Sequence, residues 1–107
     1  MKDSITLTAA DGHSFEAYLA TPAGTPKAAV VVIQEIFGVN AHIKEVADRF
    51  AAAGYLAIAP ALFDRIAPDI TLAYDGDGVA EGRGLKDQAD ANSEFDVKAA
   101  IDHVASA

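Results

Sequence analysis

Glu35 is the clearest candidate for chemistry in this 107-residue sequence, because it stands just after a run of six apolar residues, 28–33. A carboxylate at the end of a buried segment is costly unless it is solvated or paired. The segment 34–40 also leaves backbone N–H groups exposed before a predicted helix. Ligands of open α/β sheets bind at this end of the strands. The segment therefore predicts a site with a carboxylate and N–H donors. As alternatives, Glu35 is a solvated loop residue or the partner of an arginine.

Two other groups of residues have a spacing that could suit a metal. His42 and Glu45 are three residues apart and share one face of a predicted helix, but two ligands do not complete a site. The run 75–78, Asp-Gly-Asp-Gly, suggests a calcium loop, yet a lysine stands at its twelfth position, where glutamate is needed. The first βα turn contains only Gly38, so the dinucleotide-binding pattern is absent. We expect no metal and no cofactor.

The elements around this loop follow a β-loop-α-β order. Residues 28–34 are apolar and β-branched, which predicts a strand buried on both faces. Apolar residues then recur at helical spacing over 43–51, with Asn40 as a candidate N-cap and Gly54 as the residue that ends the helix. Residues 55–59 predict a second buried strand. This unit matches one right-handed crossover of about 30 residues.

The flanking segments extend the same α/β pattern. Residues 4–20 alternate around an Asp-Gly turn and predict an antiparallel hairpin. Residues 61–84 have no clear period and predict an irregular stretch that includes a solvated acidic turn at 75–78. A short helix is possible over 85–91, and residues 93–106 predict an amphipathic helix. We therefore expect an α/β fold with helices on both sides of a small sheet.

The run Val32–Asn40 resembles the signature loop of the dienelactone hydrolases, a branch of the α/β-hydrolases. The resemblance continues at 59–65 and 96–101, and it covers nearly the whole chain, loosely over 66–92. It implies a three-layer αβα architecture, here the N-terminal half of an α/β-hydrolase fold. It also implies hydrolysis of an ester or lactone by a cysteine or serine nucleophile, assisted by histidine and aspartate.

The resemblance assigns roles to individual residues of this chain. Glu35 is expected to contact the nucleophile and tune its ionisation, and the Ile36 N–H to be one donor of the oxyanion hole. Phe37 is expected to contact substrate. Arg83 lies roughly where such enzymes hold a substrate carboxylate. From the sequence alone, a surface arginine that offsets nearby acids is the better interpretation of Arg83.

The chain departs from the family pattern at the nucleophile. It contains no cysteine, and none of its serines has the flanking glycines of a nucleophile elbow. The whole fold needs more than about 200 residues, at about 30 residues for each βα unit. We therefore expect residues 1–107 to be a partial domain that stops before the elbow and is inactive alone.

Composition excludes some functions and leaves alternatives open. Sixteen acidic against eight basic residues give a net charge of −8, which disfavours nucleic-acid binding. No apolar run approaches the roughly 20 residues of a membrane span, and no signal peptide is evident, so a cytoplasmic location is expected. Beside the hydrolase interpretation stands a non-catalytic α/β module that dimerises or binds a partner, such as a missing C-terminal half, through its unfinished sheet. A receiver- or flavodoxin-type domain is weaker, because of the opening hairpin and the missing phosphate loop.

Overall fold

A computed structural model describes residues 2–105 and contains a four-stranded mixed sheet. The strands are β1 (Lys2–Thr8), β2 (Ser14–Ala20), β3 (Ala29–Val31) and β4 (Leu56–Pro60). Their order across the sheet is β1-β2-β4-β3. β1 and β2 form the predicted antiparallel hairpin, β2 pairs antiparallel with β4, and β3 runs parallel to β4. β3 therefore lies at one edge of the sheet.

Helices cover both faces of this sheet. The described helices are α1 (Ala41–Ala52), α2 (Gly76–Ala89) and α3 (Ser93–Ala105), and a 3-10 turn spans Leu62–Arg65. α2 packs on this turn, and the other two helices pack on the sheet. α1 packs on one face through Ile43 and Ala47, which contact the alanines of β4. α3 packs on the other face through Ala100 and Val104. The predicted three-layer αβα arrangement and its parallel βαβ unit are confirmed.

Local signals set the ends of α1 as the sequence predicts. The Asn40 side chain accepts a hydrogen bond from the Ile43 N–H at 3.1 Å and so caps the first turn. Gly54 follows the helix with a φ of +100°, a conformation in which glycine is favoured. The chain then enters β4, whose five residues are all buried. The crossover thus places the segment 34–40 at the carboxyl ends of β3 and β4.

The predicted strand over 28–34 is wrong in length and burial. β3 has three residues, and no strand covers its outer side within the part of the chain that the structure describes. Ala29 is exposed, and Ile33 is 49% exposed. Apolar composition indicates a preference for burial but not whether neighbouring strands are present to provide it.

The predicted irregular stretch over 61–84 is also corrected, because most of α2 lies within it. The Asp75 side chain accepts a hydrogen bond from the Gly78 N–H at 2.7 Å and caps the helix. The predicted acidic turn at 75–78 is therefore a helix N-terminus, and the short helix at 85–91 is the end of a longer one. Four glycines lower the intrinsic helix preference of this segment, and packing of Leu85 and Ala89 against the 3-10 turn offsets that loss.

α3 begins at Ser93, as predicted, and its description ends at Ala105, so the last predicted residue lies outside the described range. None of the helices within residues 2–105 is long and apolar enough to cross a membrane.

Candidate active site

The segment after β3 forms a tight turn at the end of the parallel strands. The Gly38 N–H donates to the Glu35 carbonyl oxygen at 3.2 Å and closes the turn. Gly38 has a φ of +87°, where a residue with a side chain is strained. A Cβ at this position would also overlap the carbonyl oxygen of Ile70. Both the backbone conformation and the close approach therefore require glycine here.

The turn is held from two sides. On one side, the Leu72 N–H donates to the Phe37 carbonyl oxygen at 2.9 Å, and Gly38 forms a short antiparallel bridge with Thr71. On the other side, Gly82 of α2 lies so close that a Cβ on it would overlap the Ile36 carbonyl oxygen. The turn is therefore confined between the segment around Thr71 and helix α2.

Two adjacent backbone N–H groups of the turn have no acceptor. The Ile36 and Phe37 N–H groups form no hydrogen bond with any other residue among 2–105. Paired N–H donors that are fixed before reaction stabilise an oxyanion, because they are already oriented when the charge develops. The turn can therefore supply at least one donor to a tetrahedral intermediate.

The Glu35 carboxylate is exposed and forms no ion pair within residues 2–105. The alternative of an arginine partner is therefore not seen among these residues. Its neighbour Gln34 fixes the backbone here: the Gln34 Oε1 accepts from the Leu62 N–H at 2.8 Å, and its Nε2 donates to the Glu35 carbonyl oxygen at 3.3 Å. The Glu35 backbone is anchored while its side chain is left available.

An open cavity of about 730 Å³ lies beside the turn. It is mainly apolar, and its charged side chains come from the turn and from α2 and the residue after it. The lining residues are Ile33, Gln34, Glu35, Ile36, Phe37, Leu62, Phe63, Lys86, Ala89, Asp90, Ser93 and Val97. Glu35, Ile36 and Phe37 are thus brought together on one cavity, as predicted. Neither histidine nor cysteine is among its lining residues, and the Ser93 hydroxyl donates to the Asp90 carbonyl oxygen at 3.3 Å.

Tyr74 is part of the site, although no sequence motif indicates it. Its ring meets the Phe37 ring edge-on, with centroids 4.5 Å apart, and its hydroxyl accepts from the Asn40 side chain at 2.7 Å. Tyr74 therefore packs against one edge of the site through Phe37. Tyr74 lies more than thirty residues along the chain, in a segment without periodicity, so no local pattern reveals the contact.

The sequence profile of the dienelactone hydrolase family matches residues 15–107. The chain belongs to the dienelactone hydrolase family. A Synechocystis protein with a provisional carboxymethylenebutenolidase assignment is 51% identical over 72 residues, which are 66% of this chain and 29% of that protein. The carboxymethylenebutenolidase of Pseudomonas putida is 39% identical over 72 residues, which are 67% of this chain and 30% of that protein.

A solved structure described as m3DLH superposes with a TM-score of 0.73 at 29% identity. The alignment covers 100% of this chain and 43% of that one. The chain therefore spans less than a third of the length of the curated family members it matches, and less than half of the solved one. Within the family fold, the described residues provide the hairpin, one crossover and the turn after β3.

The structure places Arg83 on an exposed face of α2. The resemblance implies that this residue holds a substrate carboxylate, whereas the sequence alone favours a surface arginine. Arg83 is not among the residues that line the cavity, and its role stays a prediction. One turn further along α2, Lys86 lines the cavity and contacts Asp90 at 2.7 Å. This hydrogen bond raises the pKa of Lys86 above its ordinary value, so the cavity wall carries a protonated amine.

A partly buried ion network joins three distant parts of the chain. The Arg65 guanidinium contacts both carboxylate oxygens of Asp96, at 2.9 and 3.0 Å, and it reaches both carboxylate oxygens of Asp11. Asp96 has no exposed side-chain surface, and Arg65 has 12%. The network ties the hairpin turn and the start of α3 to the segment after β4, next to the wall of the cavity. The sequence pattern indicates Asp96 only as a residue of the helix start and reveals no partner for Arg65.

The residues whose spacing could suit a metal, His42, Glu45 and the run 75–78, do not form a metal-binding cluster among the described residues. No group of three or more histidine, cysteine, aspartate or glutamate residues in a metal-binding arrangement occurs among the described residues. The run 75–78 instead begins α2, and Glu45 pairs with Arg49 at 2.6 Å.

Proposed function

We propose that this chain is the N-terminal portion of a carboxylic ester or lactone hydrolase of the dienelactone hydrolase type. Residues 1–107 form a partial domain, and the nucleophile, histidine and aspartate come from sequence beyond them. The proposal rests chiefly on the two free N–H groups of the turn, which stand beside an apolar cavity at the strand ends. Its small-molecule substrate is a lactone of the kind that the name of the Pseudomonas putida relative, carboxymethylenebutenolidase, denotes.

In this mechanism the Ile36 N–H donates a hydrogen bond to the carbonyl oxygen of the substrate. As the nucleophile adds to the carbonyl carbon, that oxygen gains negative charge and the hydrogen bond strengthens. A donor of this kind contributes about 3 kcal/mol in the transition state. Because Gly38 and Gly82 confine the turn, the N–H group does not have to reorient during the reaction.

Glu35 and Phe37 have separate roles in the proposal. The anchored, unpaired Glu35 carboxylate contacts the nucleophile and changes its ionisation, since a neighbouring negative charge disfavours a thiolate or alkoxide. Phe37 forms part of the apolar wall that receives the substrate. Its ring also packs edge-on against Tyr74, which limits the ring motion that substrate binding has to remove.

The first test compares the 107-residue chain with a longer protein that contains an elbow. The chain alone is expected to show no turnover of p-nitrophenyl esters above buffer. In the longer protein, Glu35→Gln should move the acid limb of the pH profile of kcat/KM to lower pH, because the lost negative charge no longer disfavours the ionised nucleophile. The matched control is Glu45→Gln, on the exposed side of α1, which should leave this profile unchanged. Turnover by the short chain that survives Glu35→Ala would show that these roles are wrongly assigned.

Two cations are candidates for binding a substrate carboxylate, and their KM values can be compared. Arg83 is nominated by the resemblance, and Lys86 by its place on the cavity. If Arg83 is the ligand, Arg83→Gln raises KM for an anionic ester and not for a neutral one, while Lys86→Gln changes neither. The opposite pattern would reject Arg83.

A second candidate function, a binding module, is supported by the open edge of β3. Alternate backbone groups of this strand face away from β4, and Ile33 beside them is half exposed. Such an edge pairs readily with another chain. This candidate predicts a dimer or a partner complex by sedimentation at micromolar concentration. A stable monomer with one cooperative thermal transition would exclude partner-dependent folding.

A further inference from the structure

Helix α2 contacts the turn at 35–38 through Gly82. Gly82 lies in its interior, and a Cβ on Gly82 would overlap the Ile36 carbonyl oxygen and press on its carbonyl carbon and Cβ. Three atoms of one residue thus face the bare surface of Gly82. Ile36 and the next residue, Phe37, carry the two N–H groups that form no hydrogen bond within residues 2–105.

Gly84 of the same helix is a glycine for which no close contact explains the missing side chain. Gly84 is two residues further on in the same helix, and a Cβ on it would meet nothing within 4 Å. Glycine in the interior of a helix is unfavourable relative to alanine. At Gly84 no contact accounts for that cost, whereas at Gly82 the close approach to Ile36 does.

We infer that Gly82 is a positioning residue, which seats Ile36 and so fixes the two adjacent peptide groups that carry the Ile36 and Phe37 N–H donors. This inference rests on the proposed function and deepens it. Helix α2 is held in turn by Leu85 and Ala89, which pack with Phe63 of the 3-10 turn. The orientation of the N–H donor is therefore set by the docking of α2 as well as by the turn itself.

The test uses two alanine substitutions in one helix. Gly82→Ala should shift the amide resonances of Ile36 and Phe37 in the ¹H–¹⁵N spectrum of the chain, while Gly84→Ala should leave both in place. In the longer, active protein, Gly82→Ala should lower kcat about 10- to 100-fold with KM changed less than about twofold, because a donor displaced by about 1 Å loses catalysis rather than binding. Gly84→Ala should keep the parental kcat.

A gentler variant covers the case in which Gly82→Ala does not fold. Leu85→Val loosens the anchor of α2 without adding an atom beside Ile36. It should speed hydrogen exchange at the Gly38 and Leu72 amides, whose hydrogen bonds to the Glu35 and Phe37 carbonyl oxygens hold the turn, and leave the amides of β4 unchanged.

Unchanged resonances and kcat in Gly82→Ala, or unchanged exchange in Leu85→Val, would overturn the role of Gly82. Equal effects from Gly82→Ala and Gly84→Ala would overturn it as well. Failure of the proposed function has a different signature, namely an active longer protein that is indifferent to Glu35→Gln, and the amide shifts do not depend on that result.

Discussion

Asp96 is completely buried, and its charge is balanced by a two-oxygen contact with Arg65. The guanidinium suits this geometry because it offers parallel N–H groups to a carboxylate. Asp11 occupies the other side of the same guanidinium and closes the hairpin onto it. The arrangement supports the wall of the cavity from behind, although it contributes no atom to the chemistry.

Removing the charge of Asp96 should destabilise the fold. Asp96→Asn leaves Arg65 short of a partner in a nearly dry site, and breaking a buried pair in this way costs about 3 kcal/mol. The free energy of unfolding, from urea titration, measures the loss. Glu45→Gln, which breaks an exposed pair on α1, is the matched control and should cost less than about 0.5 kcal/mol. Equal losses of unfolding free energy in the two variants would mean that burial of the ion pair of Asp96 does not contribute to stability.

We expect the fold to lose stability at high pH because of the environment of the Tyr18 hydroxyl. Burial and a 2.6 Å hydrogen bond to the Asp48 carboxylate raise the pKa of Tyr18 from 10.0 to about 12. The folded chain therefore holds the phenolic proton more tightly than the unfolded chain does. The resulting stability is present below pH 10 and is lost as the pH rises from 10 to about 12.

Phenolate absorbance checks this prediction. Tyr18→Phe should remove a titration step near pH 12, and Asp48→Asn should move that step to lower pH. A step that stays in place in Asp48→Asn would contradict the role given to the hydrogen bond.

At the scale of elements, the sequence predicts the features that depend on neighbouring residues and misses those that depend on residues distant along the chain. The cap at Asn40 and the end of α1 at Gly54 depend on a few neighbouring residues, so their sequence signals are sufficient. The turn at 35–38 is located by the same kind of local signal. α2 depends instead on Phe63 and Ile36, which lie far away in sequence, and its glycines conceal the helix. The contact between Arg65 and Asp96 escapes sequence patterns for the same reason, because only the folded chain brings them together.

Gly38 offers a test of how tightly the turn is confined. Gly38→Ala adds both left-handed strain and an overlap with Ile70, and it should cost more than about 3 kcal/mol in unfolding free energy. Gly12→Ala is the matched control, since Gly12 has a φ of +90° with nothing nearby. It should cost about 1 to 2 kcal/mol. The difference between the two losses of unfolding free energy measures the contribution of the overlap with Ile70. Equal losses in both variants would contradict a confined turn.

At the scale of the whole molecule, helices cover both faces of the sheet, and within residues 2–105 no strand lies beyond β3. The Leu56 N–H donates to the Ala28 carbonyl oxygen, and the Val32 N–H donates to the Ile58 carbonyl oxygen. In a parallel pair, alternate residues of a strand face the same neighbour, so Val30 also faces β4 while Ala29 and Val31 face outward. The outward groups are those available to a further strand.

Proline substitutions distinguish the two sets of groups. Val31→Pro removes an outward N–H and should leave the chain folded, since proline is tolerated at sheet edges. Val30→Pro removes a bond to β4 and should unfold the chain at clearly lower urea. Sedimentation of Val31→Pro should also show any self-association weakened. Equal destabilisation by both variants would mean that β3 is not an edge.

α2 carries four glycines in fourteen residues, and those in its interior each cost about 1 kcal/mol against alanine. Such a helix opens locally more often than the strands of the sheet. Proteases cut chains where they open, so a first cleavage is expected in α2, with β1 to β4 still intact. A protein cut there would look folded by circular dichroism and yet would have lost the support behind Ile36. The working lifetime of this site would then be set by the weakest helix rather than by the melting of the fold.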